Sequence, residues 1–104
     1  MTLELRPRDV AYMEEACDYA RMGLVPAGAY RNREFAQPYL DAGDTEEVYL
    51  DLLSDPQTSG GLLFSIPEEE VSGLLKDLEK AGLETKVSVI GRVVEKQEKL
   101  IRLK

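Results

Sequence analysis

A short polar segment between two apolar stretches has the residue types needed to bind an anionic group. Residues 55–61 are Asp55, Pro56, Gln57, Thr58, Ser59, Gly60 and Gly61. Pro56 ends a preceding helix, the hydroxyls donate hydrogen bonds, and the glycines permit positive φ and close approach of another group. Backbone N–H groups of such a loop can cradle a phosphate. The plainer interpretation is a helix end and a tight turn, and the segment lacks the Walker A lysine.

A second segment, residues 23–33, brings two arginines into an otherwise acidic part of the chain. The planar guanidinium of Arg31 can bind a carboxylate or phosphate through two hydrogen bonds, and Asn32 follows it directly. The alternative is that Arg31 and Arg33 pair with nearby acidic residues or with a partner domain. Both segments therefore supply candidate anion-binding residues.

The residue types that are missing exclude most other chemistry. The chain of 104 residues has no histidine and one cysteine, which excludes Ser-His-Asp and Cys-His nucleophile sites, His-ligated zinc and a disulfide framework. Helix capping and solvation explain an acidic cluster better than Mg²⁺ or Ca²⁺ binding does. That cluster comprises Asp41, Asp44, Glu46, Glu47 and Asp51. We predict no catalytic residue and no metal ligand, and we interpret Cys17 as a buried packing thiol.

Charge and hydropathy limit the partners of the chain. Its 13 basic and 20 acidic residues leave a net charge of −7, which argues against nucleic acid. No apolar run approaches the roughly 20 residues of a membrane span. The first residues, MTLELRPRD, lack the basic-then-apolar form of a secretory signal. We therefore expect a cytoplasmic protein with no nucleic-acid or membrane partner.

Four stretches have the pattern of strands. They are residues 2–6, 62–66, 87–94 and 100–103. Gly91 leaves a gap on one strand face, where a neighbouring backbone can approach closely or a bulge can form. The polar link at residues 95–99 predicts that the last two strands form a hairpin.

The clearest helix is predicted over residues 68–81. Pro67 suits its first position, and Gly82 ends it. Its apolar residues repeat at helical spacing, at Val71, Leu74, Leu75 and Leu78. The resulting apolar stripe predicts that this helix packs on a sheet.

Two further helices are predicted, over residues 45–54 and 12–22. Asp44 and Glu47 form a capping-box-like pair for the first, and Gly23 ends the second. Residues 23–43 are predicted to be irregular, with one short turn around residues 33–37. The order of elements predicts an α+β fold, in which helices pack on a mixed or mostly antiparallel sheet of about four strands.

Three segments resemble one enzyme family. The string DPQTSGGLLFSIP at residues 55–67 resembles the signature of selenophosphate synthetase, also called selenide, water dikinase. VPAGAYRNREFAQPYL at residues 25–40 is similar to the preceding segment of that family, with Ala27 and Ala29 where Gly and Thr are common. VIGRV at residues 89–93 fits the family's late strand. The resemblance implies that residues 1–104 are part of a C-terminal domain like that of aminoimidazole ribonucleotide synthetase.

The same resemblance implies a division of labour between two domains. The parent reaction converts ATP, selenide and water to selenophosphate, AMP and phosphate. The family's N-terminal domain carries the reactive Cys or selenocysteine, a lysine and the aspartates that bind Mg²⁺ and ATP, none of which has a counterpart here. We therefore expect this chain to bind no cofactor and to be inactive alone. It would form one wall of the interdomain cleft. The residues of this wall that face the cleft would be Asp55, Gln57, Thr58, Ser59, Gly60, Gly61, Arg31 and Asn32.

The resemblance also implies partners. The first partner is the N-terminal ATP-binding domain of the same enzyme. The second is another copy of the chain, since homodimerisation or self-association would cover an exposed apolar face. The alternative is a free-standing, non-catalytic binding domain derived from that family.

Overall fold

The computed structural model describes all residues from Met1 to Lys104, in four helices and four short strands. In chain order these are β1 (Thr2–Leu5), α1 (Glu14–Arg21), α2 (Ala27–Ala36), β2 (Leu40–Asp41), α3 (Glu47–Leu53), α4 (Glu68–Lys80), β3 (Gly91–Val94) and β4 (Ile101–Leu103). Single turns of 3-10 helix lie at Pro7–Asp9 and Gln37–Tyr39. None of the helices has the length and apolar composition that crossing a membrane requires. The predicted α+β class is confirmed.

The four strands form one mixed sheet in the order β2-β4-β1-β3. β1 runs antiparallel to β3 and parallel to β4, and β4 runs parallel to β2. The predicted hairpin of the last two strands is therefore wrong, because β1 lies between them. The connection between β3 and β4, residues 95–99, crosses the end of β1 and is held there by the buried hydroxyl of Thr2. This hydroxyl donates to the Lys99 carbonyl at 2.8 Å and accepts from the Gln97 amide at 2.8 Å.

The helices with strong local signals are confirmed. α1, α3 and α4 all lie within their predicted ranges, and Gly23 and Gly82 follow α1 and α4 with φ of 78° and 66°. Pro67 is the N-cap of α4 rather than its first helical residue as predicted. The predicted capping pair of Asp44 and Glu47 is wrong, because α3 begins after Glu46 and no side chain caps it. Glu47 instead binds Arg33, at 2.7 Å.

Residues 23–43 are more regular than predicted. They contain α2, a 3-10 turn and β2. The local signal for α2 is weak, because Pro26 precedes it and Gly28 lies inside it. Ion pairs with α3 stabilise α2 in spite of this weak signal. Arg33 forms ion pairs with Asp51 at 2.6 Å and with Glu47 at 2.7 Å.

Residues 62–66 are not a strand, contrary to the prediction. The segment forms no ladder, and its first three side chains are exposed. Within this chain β2, rather than residues 62–66, provides the fourth strand. An apolar run of this length predicts a buried segment, but the sequence of the run does not identify the element against which the segment packs.

The predicted close approach at Gly91 is confirmed. Gly91 lies opposite Leu5 in the β1–β3 pair. A Cβ at this position would overlap the carbonyl oxygen of Glu4 and would lie 3.0 Å from the Leu5 Cα. The strand is shorter than predicted, because only Gly91–Val94 of residues 87–94 pairs with a neighbour.

One row of charged side chains crosses the whole sheet. Arg92 on β3, Glu4 on β1, Arg102 on β4 and Asp41 on β2 are consecutive register partners of alternating sign. Arg92 lies 3.1 Å and Lys104 2.6 Å from the Glu4 carboxylate, whose side chain is 10% exposed. The hydrogen bond from Lys104, and next that from Arg92, lowers the pKa of Glu4 despite its desolvation. Leu3 and Leu5 share the opposite face, as predicted, yet they are less buried than Thr2 and Glu4.

α1, α2 and α3 pack as a small cluster beside the sheet, in which α3 contacts both α1 and α2. α4 makes at most slight contact with any other element, so the prediction that it packs on the sheet is wrong within this chain. Tyr12 packs against Tyr49 with ring centroids 5.9 Å apart and ring planes inclined at 43°. Burial, with smaller contributions from Cys17 and Tyr49, raises the pKa of Tyr12 to about 12. Cys17 is half-buried and free, so it is less enclosed than predicted.

Candidate functional site

The structure brings the two predicted segments together. Gly28, in the first turn of α2, packs against Pro56, and a Cβ at residue 28 would lie 2.8 Å from the Pro56 Cγ. Four residues further along α2, the Asn32 amide donates to the carbonyl of Ser54 at 2.9 Å. These two contacts join α2 to the polypeptide that leaves α3. Sequence reasoning identified both segments but not the contact between them.

Arg31 and Arg33 have different roles. Arg33 pairs with Glu47 and Asp51, so the predicted pairing with nearby acids is confirmed for this residue. Desolvation acts to lower the pKa of Arg33, but the hydrogen bonds to Glu47 and Asp51 outweigh it, and the pKa is raised. Arg31 is exposed and has no carboxylate of this chain within 4.0 Å, so pairing with a nearby acid is wrong for Arg31, and pairing with a partner domain stays a prediction. Its guanidinium would lie 3.7 Å from a Cβ at Gly28, beside the Pro56 contact.

The loop itself is exposed from Pro56 to Gly61. The Gln57 amide donates to the half-buried carboxylate of Asp55 at 3.2 Å. A Cβ at Gly60 would lie 2.8 Å from the Gln57 Oε1, so glycine at residue 60 leaves room for this side chain. Neither Gly60 nor Gly61 has a positive φ, contrary to the role predicted for them. The structure uses Gly60 for close approach alone.

Several donors in this loop have no partner within the chain. Thr58 and Ser59 make no side-chain hydrogen bond, and the backbone N–H groups of residues 57–61 make no backbone hydrogen bond. The exposed guanidinium of Arg31 lies beside the Gly28–Pro56 contact, and the loop with the unpartnered hydroxyls and amides follows Pro56 directly in the chain. We call these donors together the donor-rich surface. Such a surface suits a carboxylate or a phosphate, whose oxygen atoms accept hydrogen bonds from all three kinds of donor.

Four of the five residues of the acidic cluster, all except Asp44, are engaged in ion pairs, and none of the five caps α3. Asp41 lies 3.5 Å from Arg102 and Glu46 lies 2.7 Å from Arg8, while Glu47 and Asp51 hold Arg33. No group of three or more Asp, Glu or Cys side chains lies close enough together to hold a metal ion.

An open pocket of about 470 Å³ at the β2–β4 edge of the sheet contains none of the predicted site residues. Lys99 and Arg102 line it together with Asp41 and Glu98. The charges of these four side chains balance, and Lys99 donates to the Pro38 carbonyl at 2.9 Å. The pocket therefore has no excess of donors comparable to that of the loop.

Comparison with known proteins agrees with the motifs. Residues 7–104 match the family described as AIR synthase related protein, C-terminal domain. The chain is 42% identical over 101 residues to selenide, water dikinase 2 of Peptoclostridium acidaminophilum, covering 97% of this chain and 29% of that protein. It is 43% identical over 98 residues to the selenide, water dikinase of Campylobacter jejuni strain RM1221, covering 94% of this chain and 27% of that protein. It is 41% identical over 102 residues to the selenide, water dikinase of Clostridioides difficile strain 630, covering 97% of this chain and 29% of that protein.

The chain therefore spans less than a third of the length of these relatives. The matched region is the C-terminal domain of the family, as the resemblance predicted. Because the match covers nearly all of the sequence, the chain belongs to the AIR synthase related protein family, C-terminal domain, and is similar to the corresponding part of selenide, water dikinases.

Proposed function

We propose that this chain is the C-terminal part of a selenide, water dikinase and forms one wall of the cleft between the two domains of that enzyme. The reaction of the whole enzyme converts ATP, selenide and water to selenophosphate, AMP and phosphate. The observation that carries the proposal is the contact of Gly28 with Pro56, which unites the two family segments in one surface.

In this proposal the donor-rich surface binds an anionic group of the substrate or product. Arg31 provides the charge, and Thr58 and Ser59 provide hydroxyl donors. Asn32 and Gly28 are positioning residues, because each fixes α2 against the chain around residues 54–56. A hydrogen bond to a charged group contributes about 1.5–3 kcal/mol, so Arg31 is the most sensitive position.

Magnesium and ATP are held by the other domain in this proposal. The residues of this chain do not fit a magnesium site, since its paired carboxylates already neutralise arginines. Phosphoryl transfer requires metal-bridged phosphates and an aligned nucleophile. We therefore propose that the chain alone neither turns over nor binds nucleotide tightly.

A chimera tests the proposal. This chain would replace the matching C-terminal stretch of the Peptoclostridium acidaminophilum enzyme, and selenophosphate formation from ATP and selenide would be measured. We expect an active chimera whose kcat/KM falls by about 10- to 100-fold in Arg31→Ala, the loss of one charged hydrogen bond. Thr58→Ala should lower it less. Arg21→Ala is the matched control and should leave activity unchanged, because Arg21 pairs only with Asp18 on exposed α1.

Two results would contradict the proposal. One is an inactive chimera beside an active parent enzyme, which would favour a free-standing binding domain. The other is micromolar binding of Mg-ATP to this chain alone in isothermal titration calorimetry.

A further inference from the structure

The open pocket at the β2–β4 edge of the sheet, which we call the edge pocket, is built on fixed elements. It is lined by residues of β2 and the turn after it, of the 95–99 link and of β4. The parallel register of β2 and β4 fixes one wall, and two hydrogen bonds of the buried Thr2 hydroxyl fix the link. The volume of about 470 Å³ lies within the range of small-molecule sites. A ligand therefore meets side chains that are already in place.

The guanidinium of Arg102 has unused donors in the edge pocket. It lies 3.5 Å from the Asp41 carboxylate and 3.9 Å from that of Glu4, but it forms no hydrogen bond with either of them. Its side chain is 44% exposed. A guanidinium has five N–H donors in one plane and can bind a carboxylate through two parallel hydrogen bonds. Arg102 is therefore available to a carboxylate that enters the pocket.

Charges of both signs line the edge pocket. One oxygen of Asp41 accepts the N–H of Gly43 at 3.2 Å, which leaves the other oxygen beside Arg102. Glu98 is exposed and forms no ion pair, and Lys99 donates one of its three N–H groups to a carbonyl. An ion of one sign would be attracted by two of the four charged side chains and repelled by the other two. A ligand that carries both charges is attracted by all four.

We propose that the edge pocket binds a free α-amino acid with an apolar side chain. The opposite charges of Arg102 and Asp41 lie 3.5 Å apart, and in an α-amino acid a single carbon joins the ammonium group to the carboxylate. The ligand lies antiparallel across this pair, so that its carboxylate accepts from Arg102 and its ammonium group donates to Asp41. Leu40 and Ala42 provide apolar surface for the side chain of the ligand.

Amide NMR spectra of the isotopically labelled chain, recorded during titration with L-leucine, test the proposal. We expect shifts confined to residues 40–43 and 97–102 and a dissociation constant of about 1 mM, the affinity that two charged hydrogen bonds supply. Isocaproate is leucine without its ammonium group, and isoamylammonium is leucine without its carboxylate. Each should bind at least about tenfold more weakly than L-leucine, because each loses one of the two charged hydrogen bonds.

Two arginines provide a matched pair of variants. Arg102 and Arg92 both lie beside Glu4 in the charged row of the sheet, but only Arg102 lines the edge pocket. Arg102→Ala should raise the dissociation constant for L-leucine at least about tenfold, and Arg92→Ala should leave it unchanged. Asp41→Asn keeps an oxygen that can accept the N–H of Gly43. This variant should weaken the binding of L-leucine but not that of isocaproate.

Three results would overturn the inference. The first is the absence of shifts in residues 40–43 and 97–102 at about 10 mM L-leucine, ten times the expected dissociation constant. The second is equal affinity for L-leucine and isocaproate, which would make the pocket a simple anion site. The third is equal weakening by the two arginine variants. The edge pocket shares no residue with the donor-rich surface, and amide shifts do not depend on selenophosphate formation, so failure here leaves the proposed function standing.

Discussion

Replacing Gly91 with alanine should disrupt the sheet at a single point. Gly91 and Leu5 are register partners, and the added methyl group would overlap the Glu4 carbonyl oxygen. A backbone atom cannot rotate away as a flexible side chain can. Either β1 or β3 must therefore move, which strains the hydrogen bonds between them and the ion pair of Glu4 with Arg92.

The size of the effect follows from the kind of clash. Inserting a methyl group into a packed position costs about 1–3 kcal/mol, and a clash with backbone places Gly91→Ala near the upper end. For a domain of this length, each kcal/mol corresponds to roughly 4–8 °C in Tm. Gly73→Ala is the matched control, because Gly73 lies within α4 and a Cβ there would meet nothing within 4 Å. It should stabilise the protein by about 0.5–1 kcal/mol, the difference in helix propensity.

Urea unfolding followed by circular dichroism measures both variants, at one fixed protein concentration because association would shift the midpoint. The predicted result is a lower midpoint for Gly91→Ala and a higher one for Gly73→Ala. A Gly91→Ala variant as stable as the unmodified chain would contradict the close approach of β1 and β3 at Gly91.

Two further predictions concern charged groups. Arg33→Ala should lower the free energy of unfolding by about 1–3 kcal/mol, because it leaves the Asp51 carboxylate, 13% exposed, without its partner. Arg21→Ala removes an exposed pair with Asp18 and should cost at most about 1 kcal/mol, and equal losses in urea unfolding would refute the structural role of Arg33. Because the folded pKa of Glu4 is lowered, its stabilising effect is present above the ordinary value of 4.5 and is lost as pH falls through the folded pKa. The stability difference between the unmodified chain and Glu4→Gln should therefore shrink as pH falls below 4.5, and a difference independent of pH would contradict the ion-pair assignment.

Local sequence signals predicted the elements that depend on neighbouring residues. Pro67, the apolar repeat and Gly82 all act within one helix, so α4 could be placed from the sequence alone. The gap at Gly91 was also recognisable, because a glycine within a β-branched run indicates close backbone approach. The two candidate segments were recognisable from their residue types and from the resemblance to a family.

The tertiary structure decided which elements meet. Strand pairing depends on residues far apart in sequence, so the insertion of β1 between β3 and β4, and the use of β2 in place of residues 62–66, had no local signal. The same is true of α2, which is supported by ion pairs from Arg33 to α3, and of the contact between Gly28 and Pro56. A local pattern sets the conformation of a segment, but only the packed chain determines its neighbours, and the candidate site depends on those neighbours.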